Sequence, residues 1–95
     1  MHEKSLPIHF SDSFHRDYKK FIKDDPVLKS KLTDYLTHLQ HGTTISGMNL
    51  EPIKGFPGVK SIRLSGEFRI SLSYDGDGIR LHRAGHHDDL YRSPL

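Results

Sequence analysis

Residues 67–74 read E-F-R-I-S-L-S-Y, an unbroken alternation of polar and apolar side chains. Successive side chains of an extended chain point to opposite faces. Phe68, Ile70, Leu72 and Tyr74 therefore share one face, and Glu67, Arg69, Ser71 and Ser73 share the other. Such a segment is a strand with its apolar face covered and its polar face open or functional. Turn signals bound it, Ser65-Gly66 before and Asp75-Gly76-Asp77-Gly78 after. Beyond them lie two more extended runs, residues 59–65 with Ile62 and Leu64, and residues 79–84 with Ile79 and Leu81 facing inward. Arg83 shares the parity of that inward pair, which would let it reach from the core face to a carboxylate. Turns this short make the three strands an antiparallel meander.

The cover for the apolar face lies upstream. Phe14, Tyr18, Phe21 and Ile22 recur at helical spacing, with Ser11, Asp12 and Ser13 as N-cap candidates, which predicts a helix over residues 12–23. Asp25-Pro26 restarts a helix, the carboxylate capping and the proline taking the first position. Leu28, Leu32, Tyr35, Leu36 and Leu39 form its apolar stripe, and His41-Gly42 is its stop. Two helices joined so tightly form an antiparallel hairpin. Leu6, Ile8 and Phe10 alternate in a short opening strand, which Pro7 restricts to an edge. Residues 42–58, rich in Gly, Thr, Ser and Pro, read as a long loop.

The expected fold is α+β, in the order β-α-α-β-β-β, with an antiparallel sheet packed on one face by a helical hairpin. One domain spanning residues 1–95 is expected from the length. The uncovered face carries Ser61, Arg63, Glu67 and Arg69. Arginine's planar fork suits phosphate recognition, so this face is a candidate for a polyanionic partner. The net charge of +2 is mild and adds little to that expectation.

The chain has no cysteine, which excludes disulfides and thiolate metal sites. No apolar run approaches the ~20 residues that span a bilayer. Residues 1–7 lack the apolar segment of a secretory leader. A cytoplasmic protein without membrane contact is expected.

Residues 84–92, A-G-H-H-D-D-L-Y-R, gather most of the remaining chemistry. Histidine titrates near neutrality and serves general acid–base catalysis. A metal site built from His86, His87, Asp88 and Asp89 lacks the usual ligand spacing, because consecutive side chains rarely converge on one ion. No metal or cofactor is therefore expected. Leu90 is placed as a core anchor, and Asp88-Asp89 as a cap for a short terminal turn.

Element order and three stretches together resemble the RelE/ParE superfamily of bacterial toxins. E-P-I-K-G-F-P-G, residues 51–58, is similar to the loop that precedes the sheet in that family. S-I-R-L-S-G-E-F-R-I-S-L-S-Y, residues 61–74, is similar to its strand-turn-strand. H-R-A-G-H-H-D-D-L-Y, residues 82–91, resembles the Arg-x-Gly-x-His-x-x-Leu-Phe/Tyr ending of the YafQ-like ribonucleases.

The resemblance implies the toxin of a type II toxin–antitoxin system. Resemblance to the RelE-like and YafQ-like members further implies a metal-independent endoribonuclease that cuts mRNA in the A site of the 70S ribosome. The attacking group is a ribose 2′-hydroxyl, and the target is the adjacent phosphate. A cognate antitoxin, bound in a hetero-oligomer, is implied as partner. Carried over, the essential histidine falls on His87, the terminal aromatic on Tyr91 and the strand arginine on Arg83. The acidic residue after the strand turn falls on Glu67, and the residue following it on Phe68. The sheet arginine falls on Arg69. Glu51 and Arg63 stand where YafQ-like members carry two further histidines.

From the chemistry alone, His87 suits the general acid and Glu67 the general base, with Arg69 and Arg63 stabilising phosphoryl charge. Tyr91 can stack on a splayed base or bond the phosphate. Lys54, Lys60, Phe68 and Glu51 complete the expected substrate contacts. Two other functions fit the same fold, a ParE-like gyrase inhibitor that hydrolyses nothing and an inactive member that only binds antitoxin. The histidine-bearing ending argues against the first, and the two replaced histidines permit the second.

Overall fold

The computed structural model describes residues 5–76 and 78–95. Asp77 of the D-G-D-G turn and the first four residues of the leader reading lie outside them. β1 (Ile8–Phe10) leads into α1 (Asp12–Asp17), which runs on as a π-helical turn over Tyr18–Ile22. α2 (Pro26–Gln40), β2 (Glu51–Pro52), β3 (Val59–Ser65), β4 (Phe68–Asp75), β5 (Gly78–His86) and α3 (His87–Arg92) follow. The five strands form one sheet in the order β1-β5-β4-β3-β2. β3, β4 and β5 are the expected antiparallel meander. β1 pairs in parallel with β5, Ile8 opposite Ile79 and Phe10 opposite Leu81, so the sheet is mixed. The helices carry the chain from the β1 edge to the β2 edge, and the meander then brings β5 back beside β1 in the same direction.

Local chemistry explains the junctions. Pro7 precedes β1, and its carbonyl accepts from the Ile79 amide at 2.8 Å. A side chain at Gly78 would meet that carbonyl at 3.0 Å, so the close approach requires glycine. Ser11 stops β1 and starts α1. Its Oγ accepts from the Phe14 amide at 2.9 Å and donates to the His82 carbonyl at 2.8 Å. Asp25 caps α2 by accepting from the amides of Val27 and Leu28, both at 3.1 Å, with Pro26 in the first helical position.

Helices α1 and α2 cover one sheet face. Phe14, Ile22, Leu32, Tyr35 and Leu39 pack against Ile62, Leu64, Ile70, Leu72, Ile79 and Leu81. The segment between α2 and β3, expected as loop, is bolted down instead. Met48 and Ile53 are buried, and Glu51 and Pro52 pair with Ser61 and Lys60 as an edge strand. Proline is tolerated there because an edge strand needs no donor on its outer side. Among the described residues, no helix is long and apolar enough to cross a membrane.

Two further corrections concern β5 and the polar face. The β4–β5 register slips at Ser71/Leu72, with Leu72 opposite Leu81 and Ser71 opposite Arg83. His82 is the extra residue of that bulge. Parity therefore changes, and Ala84 takes the inward position instead of Arg83. The polar face, expected to be open, is partly roofed by α3 and the residues after it. Leu90 and Pro94 are buried, and Ser71 Oγ donates to the Pro94 carbonyl at 2.6 Å. Ser61, Arg69 and Ser71 are consequently buried, and each has a hydrogen-bond partner.

Candidate active site

Strand parity places Ser61 of β3 and Arg69 of β4 on the roofed face, near the edge strand that carries Glu51. The α3 helix drops Tyr91 onto them. Tyr91 Oη donates to Glu51 Oε1 at 2.5 Å and lies 2.7 Å from Ser61 Oγ. Arg69 Nε donates to Ser61 Oγ at 3.0 Å, and Arg69 Nη2 donates to the Asn49 carbonyl at 2.8 Å. Arg69 Nη2 also stands 3.4 Å from Glu51 Oε1. A guanidinium, a hydroxyl, a phenol and a carboxylate thus close a ring drawn from β2, β3, β4 and α3. Asn49 presents its carbonyl through a left-handed backbone, φ 47°, a conformation asparagine tolerates better than most residues.

His87 sits one helical turn before Tyr91, and that spacing stacks the two rings, with centroids 4.1 Å apart and planes 24° from parallel. Its Nδ1 lies 3.2 Å from Asp88 Oδ1. The amide of His87 donates to the Glu67 carbonyl at 2.7 Å, which fixes where α3 begins. His86, the last residue of β5, turns the other way, its ring edge-on to Phe21 and Phe68. Asp88 and Asp89 occupy the first turn of α3, where negative charge is favourable, without capping hydrogen bonds. Burial pushes the Tyr91 phenol above its ordinary range, and its bond to Glu51 adds to the rise; Ser61 and Arg69 pull it the other way. Tyr91 is therefore a protonated donor at neutral pH.

Four expected residues converge here: Glu51, Arg69, His87 and Tyr91. The others do not. Glu67 stands exposed in the β3–β4 turn and reaches α3 through its main chain. Arg63 is exposed and donates from Nε to the Gly66 carbonyl at 2.8 Å, bracing the same turn. Phe68 is in the core. Lys54 is exposed between β2 and β3, and Lys60 lies over the Tyr74 ring at 5.7 Å. Arg83 pairs with Asp17, Nε to Oδ2 at 2.7 Å, and that hydrogen bond raises its pKa. They flank a separate cleft of about 250 Å³ between the π-turn, β5 and α3. Ser61 is the member that residue chemistry alone did not single out. Its only signal was a place on the polar face shared with Arg69.

No protein-family model matches the sequence, and no curated protein is significantly similar to it. Solved structures are similar to it over almost their whole length. YafQ of E. coli, in complex with DinJ, superposes with a TM-score of 0.76 at 20% identity, over 90% of this chain and 97% of that one. The YoeB dimer of Staphylococcus aureus gives 0.74 at 26% identity, over 87% and 98%. RelE of Methanococcus jannaschii, in complex with RelB, gives 0.69 at 21% identity, over 88% and 95%. This chain has the RelE/ParE toxin fold. Within that fold, the His87–Tyr91 pair lies on the short final helix and Arg69 on the strand beneath it. The RelE/ParE fold thus brings residues from both ends of the sheet segment to one rim.

Proposed function

We propose that this chain is the toxin of a type II toxin–antitoxin pair and a metal-independent endoribonuclease acting on mRNA at the ribosomal A site. The observation that carries the proposal is the convergence of Glu51, Arg69, Tyr91 and His87 at one rim. Cleavage by a neighbouring 2′-hydroxyl needs a base, an acid and a cation, and the rim supplies each. Glu51 takes the proton of the 2′-hydroxyl as its oxygen bonds to phosphorus. Its recorded contacts fall on Oε1, and its side chain is 48% exposed, which leaves Oε2 for that proton. The bond from phosphorus to the 5′-oxygen breaks, and His87 in its protonated form donates to the leaving oxygen. The products are a 2′,3′-cyclic phosphate and a 5′-hydroxyl. Arg69, buried beneath the Tyr91 ring at 5.9 Å, offsets the negative charge that grows on the phosphoryl oxygens. Glu51 replaces Glu67 as base because the Glu67 carboxylate does not join the cluster.

Exposed Arg63 and Lys54 are assigned to the flanking phosphates, whereas Lys60, over the Tyr74 ring on the helix-covered face, is not. The antitoxin is an expected partner because similar folds were solved bound to DinJ and RelB. Action on ribosomal mRNA places the protein in the cytoplasm. The test is expression of the chain alone, scored for growth arrest and for mapped mRNA ends, beside His87→Ala. Arrest with cuts that vanish in the variant supports the proposal. Arrest without cuts, persisting in the variant, overturns it in favour of a non-nucleolytic toxin such as a gyrase inhibitor. A chain that neither arrests growth nor cuts RNA is an inactive, antitoxin-binding member.

A further inference from the structure

The ring beneath the rim has a direction, and the direction follows from counting protons. Arg69 Nε carries one hydrogen and accepts nothing, so it donates to Ser61 Oγ at 3.0 Å. The Glu51 carboxylate only accepts, so the single phenolic proton of Tyr91 goes to Oε1 at 2.5 Å. The 2.7 Å contact between Ser61 and Tyr91 then has one possible donor, the serine hydroxyl. Ser61 is fully buried, at 0% exposure, so no solvent molecule takes its place. The ring runs from Arg69 to Ser61, to Tyr91, to Glu51, and closes through the ion pair of Arg69 with the same carboxylate oxygen.

We infer that Ser61 is a positioning residue that orients the Tyr91 hydroxyl toward Glu51 and thereby sets both proposed proton-transfer groups. It touches no substrate. By donating to Tyr91, it commits the phenol's own proton to Oε1 and keeps Oε2 as the free oxygen of Glu51. By holding the Tyr91 ring over the sheet, it also holds the imidazole of His87 stacked on that ring. Hydrogen bonds in such a chain polarise one another, so the loss of one link weakens the next. This inference rests on the nuclease proposal for its consequence and on geometry alone for the ring.

The titration of Tyr91 tests it, followed by NMR of ¹³C-tyrosine-labelled protein, with Tyr91→Phe identifying the signal. The groups facing the phenol are Glu51 from β2, Ser61 from β3, Arg69 from β4 and His87 from α3. Removing a donor from the phenolate moves the midpoint up, and removing the carboxylate that accepts from the phenol moves it down. Ser61→Ala and Ser61→Cys, the second preserving bulk while donating weakly, are expected to raise the midpoint, and Glu51→Gln to lower it. A purely structural serine predicts otherwise, because a loosened α3 exposes Tyr91 and lowers the midpoint in every variant. A fall or no change in both serine variants overturns the inference. Cleavage by Ser61→Cys should drop about tenfold to a hundredfold with RNA affinity retained. Ser61→Thr, which restores the hydroxyl, should recover most of it; unaltered cleavage in Ser61→Cys also overturns the inference. The expected tyrosine shifts in a wild-type background that cuts no RNA would sink the nuclease proposal and leave the ring standing.

Discussion

Two of the three arginine–carboxylate pairs among the described residues, Arg83–Asp17 and Arg69–Glu51, differ in what else each carboxylate binds. Asp17 is buried, accepts from Arg83 at 2.7 Å and from the Ala84 amide at 2.9 Å. β1 ends opposite Leu81, which leaves the next stretch of the β5 edge without a strand partner. Asp17 takes up that edge, and the arginine neutralises it. Glu51 is half-exposed, stands a looser 3.4 Å from Arg69, and accepts from a phenol carrying a stacked imidazole. The first carboxylate is committed to main chain; the second keeps an oxygen free beside the groups proposed to move protons. An ion pair is therefore read by its third partner: an amide marks architecture, and a titratable side chain marks chemistry.

That contrast sets the predictions. His87→Ala should lower RNA cleavage by about 10²–10⁴-fold, with stability in urea unfolding unchanged to within about 0.5 kcal/mol. A variant that unfolds instead would move His87 to the architectural side. Asp17→Ala should cost about 3 kcal/mol, because it leaves the Ala84 amide unpaired and Arg83 without its partner. Arg83→Ala should cost less, since the Ala84 amide keeps its acceptor. Equal losses would mean that the ion pair, and not the edge cap, dominates. Glu51→Gln reverses the pattern: cleavage falls about 10²-fold while stability changes by less than about 1 kcal/mol.

The smallest effect concerns His82, the bulge residue, whose Nε2 lies 2.8 Å from Ser73 Oγ. Burial lowers its pKa below the usual histidine value, with Arg80 contributing, so the native state favours the neutral ring. Its contribution to stability is present above about pH 6.5 and is lost as pH falls below that value, because the unfolded chain binds the proton first. His82→Gln should flatten that part of the unfolding profile.

The readable features of the sequence were those whose signal is local. Strict alternation fixed β4 and put Arg69 opposite the core, whereas the helix that stacks His87 on Tyr91 was expected only as a short terminal turn. The caps at Ser11 and Asp25 marked their helices. Features that depend on distant pairing were not readable. Two residues, Glu51 and Pro52, carry no strand signature of their own; they become β2 only because β3 offers an edge. The His82 bulge leaves no mark in a period-two pattern, so the inward position given to Arg83 went to Ala84. Glu67 was the nearer carboxylate in sequence to Arg69, yet Glu51 meets it because β2 and β4 flank β3. Ser61 was visible only as a polar neighbour, since its importance lies in a proton count that needs coordinates.

The central claim is that the Glu51–Arg69–Tyr91–His87 rim cuts RNA through its own 2′-hydroxyl. A single 2′-deoxy nucleotide at a mapped cleavage position, in an otherwise identical mRNA, tests this most directly. Cleavage at that position should disappear while neighbouring positions are cut as before. Cleavage of the deoxy substrate at the rate of the all-ribose one would contradict the account.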